Sequence, residues 1–425
     1  MTITGSAFTL PCGVTIPNRL AKAAMTEGLA EPGGRAGTRI ARLYQAWGQG
    51  GAGLQITGNI MVDRRYRERP ANIVVDGEQS AEAMAGLAAF AGAAKAGGGA
   101  VIAQISHAGR QSPKLIAPEP VGPSAIPVAL PGGVFAAPRA LGDDEIMDVI
   151  ARFSRTAAAL VSAGFDGVQV HGAHGYLISE FLSPRVNQRH DRWGGPLENR
   201  ARLLIETVRA VRAAVGPDKA VSVKLNSSDF QKGGYDFADC LQVVALLAQE
   251  GVDLLEISGG NYEQPRMMGL DGLEPVFEAD ARESTRAREA YFMSYARQMI
   301  AASSIPVMVT GGFRTARAMT EALEDKVALI GLGRPLCVDP DAPLKLLNGE
   351  WDWLPAWENQ LKMPAIFTAA LPEDVRRAVQ GFGVMAFFYR NILRLADGKT
   401  PKRSMNLMAA LIAHQMTEAA DARRI

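Results

Sequence analysis

Short apolar runs alternate along most of the chain with longer segments in which apolar residues fall three and four apart. The runs at 20–24, 53–57, 100–105, 166–170, 220–225, 253–257, 306–310 and 327–332 are short and mostly apolar, as expected of strands covered on both faces. Between them, 38–48, 80–96, 143–162, 197–215, 237–250, 291–302 and 315–325 carry helical spacing, and Thr38 is placed to cap the first of these helices. Strands separated by helices are parallel neighbours with right-handed crossovers. Eight such units close into a (β/α)8 TIM barrel of the α/β class. A hairpin at 8–17, turning at Pro11 and Gly13, precedes the first strand, and long excursions at 112–141 and 260–284 interrupt the alternation. Beyond about residue 345 the pattern changes to WDWLPAW and GFGVMAFFYRNILRL, whose spacing predicts a helix burying one face. The expected organisation is a barrel over 1–345, followed by a helical extension over 346–425 that packs on the barrel or on a partner subunit.

Composition narrows the partners. Among 425 residues, 48% are hydrophobic and the formal net charge is +1, without the clustered basic excess that nucleic acid or an anionic membrane surface calls for. The three cysteines, Cys12, Cys240 and Cys337, have neither paired nor metal-ligand spacing. No run approaches the length of a membrane span, and the amino terminus lacks a signal pattern, so the expected setting is the cytoplasm. A homo-oligomer is compatible with this surface.

The chemistry concentrates at 164–184, GFDGVQVHGAHGYLISEFLSP, which reads as strand, turn and helix. His171 and His174, two of only five histidines, stand three apart beside Tyr176 in a glycine-rich turn at the carboxyl end of a strand, where barrel active sites collect. His-x-x-His also suits zinc, but the segment offers no third carboxylate or thiolate ligand. The segment GQGGAG at 48–53 matches a dinucleotide fingerprint but follows a helix and precedes a strand, so it reads as a helix-ending turn. Better phosphate candidates are VMVTGGF, with Gly311 and Gly312, and ALIGLGRP, with Gly331, Gly333 and Arg334. In barrels the loops after the last two strands frequently cradle a phosphate, and Arg334 would add a charge-assisted contact.

HGAHGYLISEFLSP followed by NQRHDRWGGPLENR resembles the signature of the old yellow enzyme family of flavin-dependent ene-reductases. IPNRLAKAAMTEG, AQISHAGRQ and GLGRPL match the same family in the same order, covering about residues 5–345. The resemblance implies non-covalent FMN and a nicotinamide reductant, NADH or NADPH. It places Ala23, Ala24, Met25 and Thr26 against the flavin ring, with Thr26 on the C4 carbonyl. Gly58 falls beside the ring's amide edge, Gln104 on its pyrimidine portion and Lys224 facing N1 and O2. Gly311, Gly312, Gly333 and Arg334 fall at the phosphate. It also implies that His171 and His174 bind the carbonyl oxygen of an activated alkene and that Tyr176 protonates its α carbon.

This chain departs from some relatives. Thr26 stands where they carry cysteine, Gly28 where they carry tyrosine, and Lys224 replaces a more usual arginine. No iron–sulfur cysteine cluster is present. The expected function is FMN-dependent reduction of the C=C bond of α,β-unsaturated carbonyl compounds with NAD(P)H, by hydride transfer from flavin N5 and protonation by Tyr176. A family member working as a dehydrogenase stays open, as does a metal-dependent isomerase or aldolase on the same barrel. The metal-dependent reading leaves Gln104, Lys224 and Arg334 without a common role.

Overall fold

The computed structural model describes residues 2–130, 133–260, 262–263 and 292–424. Its eight central strands are β1 (Leu20–Lys22), β2 (Leu54–Ile56), β3 (Ala100–Ser106), β4 (Gly167–Gly172), β5 (Ala220–Asn226), β6 (Leu254–Ser258), β7 (Val307–Thr310) and β8 (Leu329–Leu332). All neighbours are parallel, and β8 pairs back to β1, closing the barrel. The helices are α1 (Thr38–Gln49), α2 (Ala81–Ala94), α3 (Asp143–Ser162), α4 (Leu177–Leu182), α5 (Leu197–Val215), α6 (Phe237–Leu247), α7 (Met293–Ala302), α8 (Ala316–Glu324), α9 (Arg334–Val338), α10 (Ala342–Leu347), α11 (Glu373–Ala396) and α12 (Leu407–Ala422).

Strand periodicity divides the barrel's contents. Val168 and Val170, Val221 and Val223, and Leu255 and Ile257 belong to the large core shared with the helices. The alternate residues point inward. Low in the barrel these are apolar, with Leu54, Ile102, Ala220, Leu254, Met308 and Leu329 joined by Leu10 and Ile16 of the amino-terminal hairpin. One pleat higher they turn polar: Gln104, Gln169, Ser222, Lys224 and Glu256 are all buried. An apolar floor thus lies under a polar layer at the carboxyl end.

Several local expectations change. Thr38 is the first helical residue rather than the cap; Gly37 holds the cap position, and a Cβ built there would collide with Glu31. The GQGGAG segment ends α1 as expected, with Gly51 at φ +91°. Thr315, read as the first residue of its helix, is instead the cap of α8 and accepts from Ala318 N–H at 3.2 Å. Two short strands, Ile60–Met61 and Ile73–Val74, extend the sheet from β3 and carry the loop between them over the barrel's carboxyl end. The excursion at 260–284 falls almost wholly outside the described residues.

The carboxyl-terminal helices pack on the barrel within the same chain. Helix α11 lies against α1 and α9 and pairs with α12, and its Phe387, Phe388 and Ile392 join the same core as Leu43, Trp47 and Leu336. Among the described residues no helix is long and apolar enough to cross a membrane.

Candidate active site

Strand β4 runs two residues further than its apolar pattern, placing His171 inside the sheet opposite Lys224 of β5. The chain then turns sharply. His174 adopts φ +63°, a left-handed conformation that non-glycine residues seldom take outside constrained sites. It is held by its N–H to Asn226 Oδ1 at 3.2 Å and by Gln111 Nε2 donating to its carbonyl at 2.9 Å. Three rings converge as a result. The His171 centroid lies 5.0 Å from that of His174 and 4.9 Å from that of Tyr176, both edge to face.

The ring protons follow from the hydrogen bonds. His171 Nδ1 accepts from Ala173 N–H at 3.2 Å, so the neutral ring carries its proton on Nε2. His174 Nε2 bonds Ser258 Oγ at 2.6 Å, leaving Nδ1 as its other donor or acceptor. Burial, then His174 and Lys224, holds His171 well below the ordinary imidazole range, and burial with Lys224 does the same to His174. Both rings are neutral at pH 7. The Tyr176 hydroxyl donates to Glu68 Oε2 and lies 2.8 Å from the Tyr262 hydroxyl. Burial and the charge of Glu68 push its ionisation well above the phenolic range.

Beneath the rings, the polar layer is one connected network. Gln104 Nε2 donates to Gln169 Oε1 at 2.7 Å, and Gln169 Nε2 donates to Ser222 Oγ at 3.1 Å and Glu256 Oε2 at 3.0 Å. Glu256 also accepts from Lys224 Nζ at 3.0 Å and Thr310 Oγ1 at 2.7 Å. Lys224, only 4% exposed, is therefore a fixed cation with a fully buried counter-ion. Gly331 is required by this layer, since a Cβ there would collide with Thr310.

Strand β1 delivers the residues that form another wall. Ala23 N–H extends its pairing to Leu332 O at 2.9 Å, Met25 Sδ lies 3.6 Å from Cys337 Sγ, and Thr26 donates to Glu68 Oε1. Gly58 is small for a local reason: its N–H donates to Glu27 Oε1 at 2.9 Å, and a Cβ would collide with Glu27 and the Met25 carbonyl. Behind β1, Lys22 Nζ donates to Tyr44 Oη at 2.7 Å and Ile56 O at 2.8 Å, anchoring the segment from outside the barrel. Across the mouth, Arg334 and Arg314 share Glu358, at 3.5 Å and 2.5 Å.

Comparison with known proteins places this geometry. Residues 9–351 match the model of the NADH:flavin oxidoreductase / NADH oxidase family. The chain belongs to that family. An NADH-dependent flavin oxidoreductase, iliE of Hypocrea jecorina (strain QM6a), is 36% identical over 353 residues, covering 79% of this chain and 86% of the relative. A solved structure of morphinone reductase in complex with tetrahydroNAD superposes with a TM-score of 0.65 at 26% identity, covering 82% of this chain and 91% of that one. The old yellow enzyme homologue from Zymomonas mobilis shares the fold, with a TM-score of 0.67 at 24% identity over 83% of this chain and 94% of that one. This member of the NADH:flavin oxidoreductase family is accordingly an FMN-dependent oxidoreductase that takes electrons from a reduced nicotinamide.

The residues present fit FMN. A polar layer with donors and acceptors above an apolar floor suits a flat heterocycle with polar edges. At the far corner Gly311 and Gly312 take φ +116° and +80°, and a Cβ on Gly333 would meet nothing closer than Met25 Sδ at 3.7 Å, so the backbone there is open to a phosphate. Arg334, with 45% of its side chain exposed, and Arg314 bring positive charge to that corner. Among the described residues no group of three or more His, Cys, Asp or Glu is arranged to hold a metal ion.

Sequence reasoning missed Gln169, Glu256, Ser258, Glu68 and Arg314. An acid midway along LLEIS was a usable signal for Glu256, since it falls at an inward position of an otherwise apolar strand. Glu68 gave none. In RRYRERP its carboxylate is indistinguishable from ordinary surface charge.

Proposed function

We propose that the enzyme reduces the C=C bond of α,β-unsaturated carbonyl compounds with electrons from NADH or NADPH. The observation that carries this reading is the ring cluster: two neutral imidazoles and one phenol converge above a buried cation. On this reading Ala23, Ala24, Met25 and Thr26 flank the flavin ring, Gly58, Gln104 and Lys224 meet its polar edges, and Gly311, Gly312, Gly333 and Arg334 hold its phosphate. Bound FMN supplies, at N5, a hydride taken from the nicotinamide. Lys224, held in place by Glu256, provides fixed positive charge for the electron-rich side of that ring.

The chain's own residues then handle the substrate. His171, through Nε2–H, and His174 hold the carbonyl oxygen and stabilise the negative charge that builds there as the β carbon is reduced. Their neutrality matters, because a neutral imidazole donates without surrendering its proton. Tyr176 delivers its hydroxyl proton to the α carbon from the opposite face. The similarity to morphinone reductase, solved in complex with tetrahydroNAD, supports a nicotinamide as the reductant.

Half-reaction kinetics test the assignment. Tyr176→Phe should leave reduction by the nicotinamide intact and slow reoxidation by an enone. His174→Ala should weaken binding of a phenolic ligand and slow enone reduction roughly 100-fold, the usual effect of losing one such donor. Wild-type reoxidation rates in both variants would overturn the assignment.

A further inference from the structure

Glu68 belongs to the loop carried by Ile60–Met61 and Ile73–Val74, and it is only 5% exposed. Its carboxylate is shared between two walls of the pocket. Oε1 accepts from the Thr26 hydroxyl and from Asn72 Nδ2 at 3.5 Å; Oε2 accepts from Asn59 Nδ2 at 2.5 Å and from the Tyr176 hydroxyl. No ion pair to it occurs among the described residues. Arg69, the next residue, turns instead to Glu418 and lies 4.1 Å from the Tyr389 ring centroid. A carboxylate buried among neutral donors is costly. Each oxygen accepts from two donors, which only a carboxylate can do at both positions.

We propose that Glu68 is the positioning residue of the protonation step: it fixes the Tyr176 hydroxyl and keeps the proton on it until the substrate's α carbon takes it. The proposal rests on Tyr176 being the acid of the reaction above. The hydrogen bond to Oε2 holds the hydroxyl proton on the Glu68 side between turnovers, and the carboxylate's charge disfavours the phenolate before and after transfer alike. In the transfer the Tyr176 O–H rotates off Glu68 Oε2 toward the substrate, the O–H bond breaks and a C–H bond forms at the α carbon. The phenolate left beside Glu68 is discharged by a proton from solvent. The acid therefore stays loaded at neutral and alkaline pH and reloads readily after each turnover.

The other titratable groups facing this pair are few. Tyr262 shares the Tyr176 hydroxyl at 2.8 Å, the His171 ring lies 4.9 Å from that of Tyr176, and Arg69, paired to Glu418, and Tyr389 both act on Glu68 electrostatically. His171 is neutral, and burial raises Tyr262 above the phenolic range, so neither changes charge across the neutral region.

The test uses the holoenzyme and two readouts. Ultraviolet titration of tyrosine ionisation, taken as the difference between the protein and its Tyr176→Phe variant, reads Tyr176 without any turnover. Glu68→Gln should lower the pH of that ionisation by about one unit or more, the usual effect of removing a like charge at this distance. The alkaline limb of enone reoxidation should fall by the same amount, and in a Tyr176→Phe background Glu68→Gln should leave the pH dependence of reoxidation unchanged. If Glu68→Gln does not fold, Glu68→Asp, which withdraws the charge by one methylene, should shift both readouts in the same direction. An unmoved titration, or a rate lowered equally at every pH, would overturn the positioning role. A shifted titration with wild-type reoxidation in Tyr176→Phe would instead locate the failure in the assignment of Tyr176 as the acid.

Discussion

Lys224 and Glu256 show how a charge can be kept inside the barrel's polar layer. Each is buried, and each is satisfied mainly by the other and by neutral partners, so neither is independently removable. Lys224→Met should lower unfolding stability by about 3–5 kcal/mol, because it strands the Glu256 carboxylate. The double variant Lys224→Met, Glu256→Met should recover much of that loss in denaturant titrations while purifying with less flavin. Stability equal to wild type in the single variant would refute the pairing. At this scale the sequence showed the residues whose types are rare and grouped, His171, His174 and Tyr176, and hid those whose meaning depends on three-dimensional neighbours. Glu68 is an ordinary acid until the segment after β1 brings Thr26 to it, and Glu256, though marked by its place in an apolar strand, has no role until β5 brings Lys224 to it.

Helix α4 follows directly from the ring cluster and buries Glu180, which accepts from Arg110 N–H at 2.8 Å. Burial pushes this carboxyl up to about 8, only partly offset by Arg110. Its folded value lies above the unfolded one near 4.3, so the folded state holds a proton that the unfolded state releases between those values. The contribution therefore falls as pH rises from about 4.5 to 8. Glu180→Gln should gain stability relative to wild type across that interval, by on the order of 1–3 kcal/mol, in denaturant titrations at pH 5 and pH 8. A constant difference between variant and wild type at the two pH values would contradict this. The elements themselves were largely legible, since α3 and α5 begin and end where their patterns do. The strands Ile60–Met61 and Ile73–Val74 were not, because two-residue strands in a charged loop carry no periodicity.

For the molecule as a whole, the residues proposed to hold FMN come from β3 and β5 and from the segments after β1, β2, β7 and β8, so one ligand would bridge most of the barrel's open end. Removing it should destabilise the entire chain. Free FMN at 100 times its Kd should add about 2.7 kcal/mol to the stability of the stripped protein, read as a concentration-dependent rise in Tm. Arg334→Ala should weaken that dependence, and a Tm indifferent to FMN would contradict the assigned site. The barrel was readable from alternation because closure follows from eight repeated units. The seating of the carboxyl-terminal helices was not, because an apolar face does not name its partner; Phe387 and Phe388 needed Trp47 and Leu336 in space.

The most direct test of the account is the visible spectrum of the purified protein, followed anaerobically through addition of NADH or NADPH and then of cyclohexenone. An oxidised-flavin spectrum should bleach with the nicotinamide and return with the enone. Flavin that bleaches and stays bleached across a panel of enones would contradict the proposed reduction of activated alkenes.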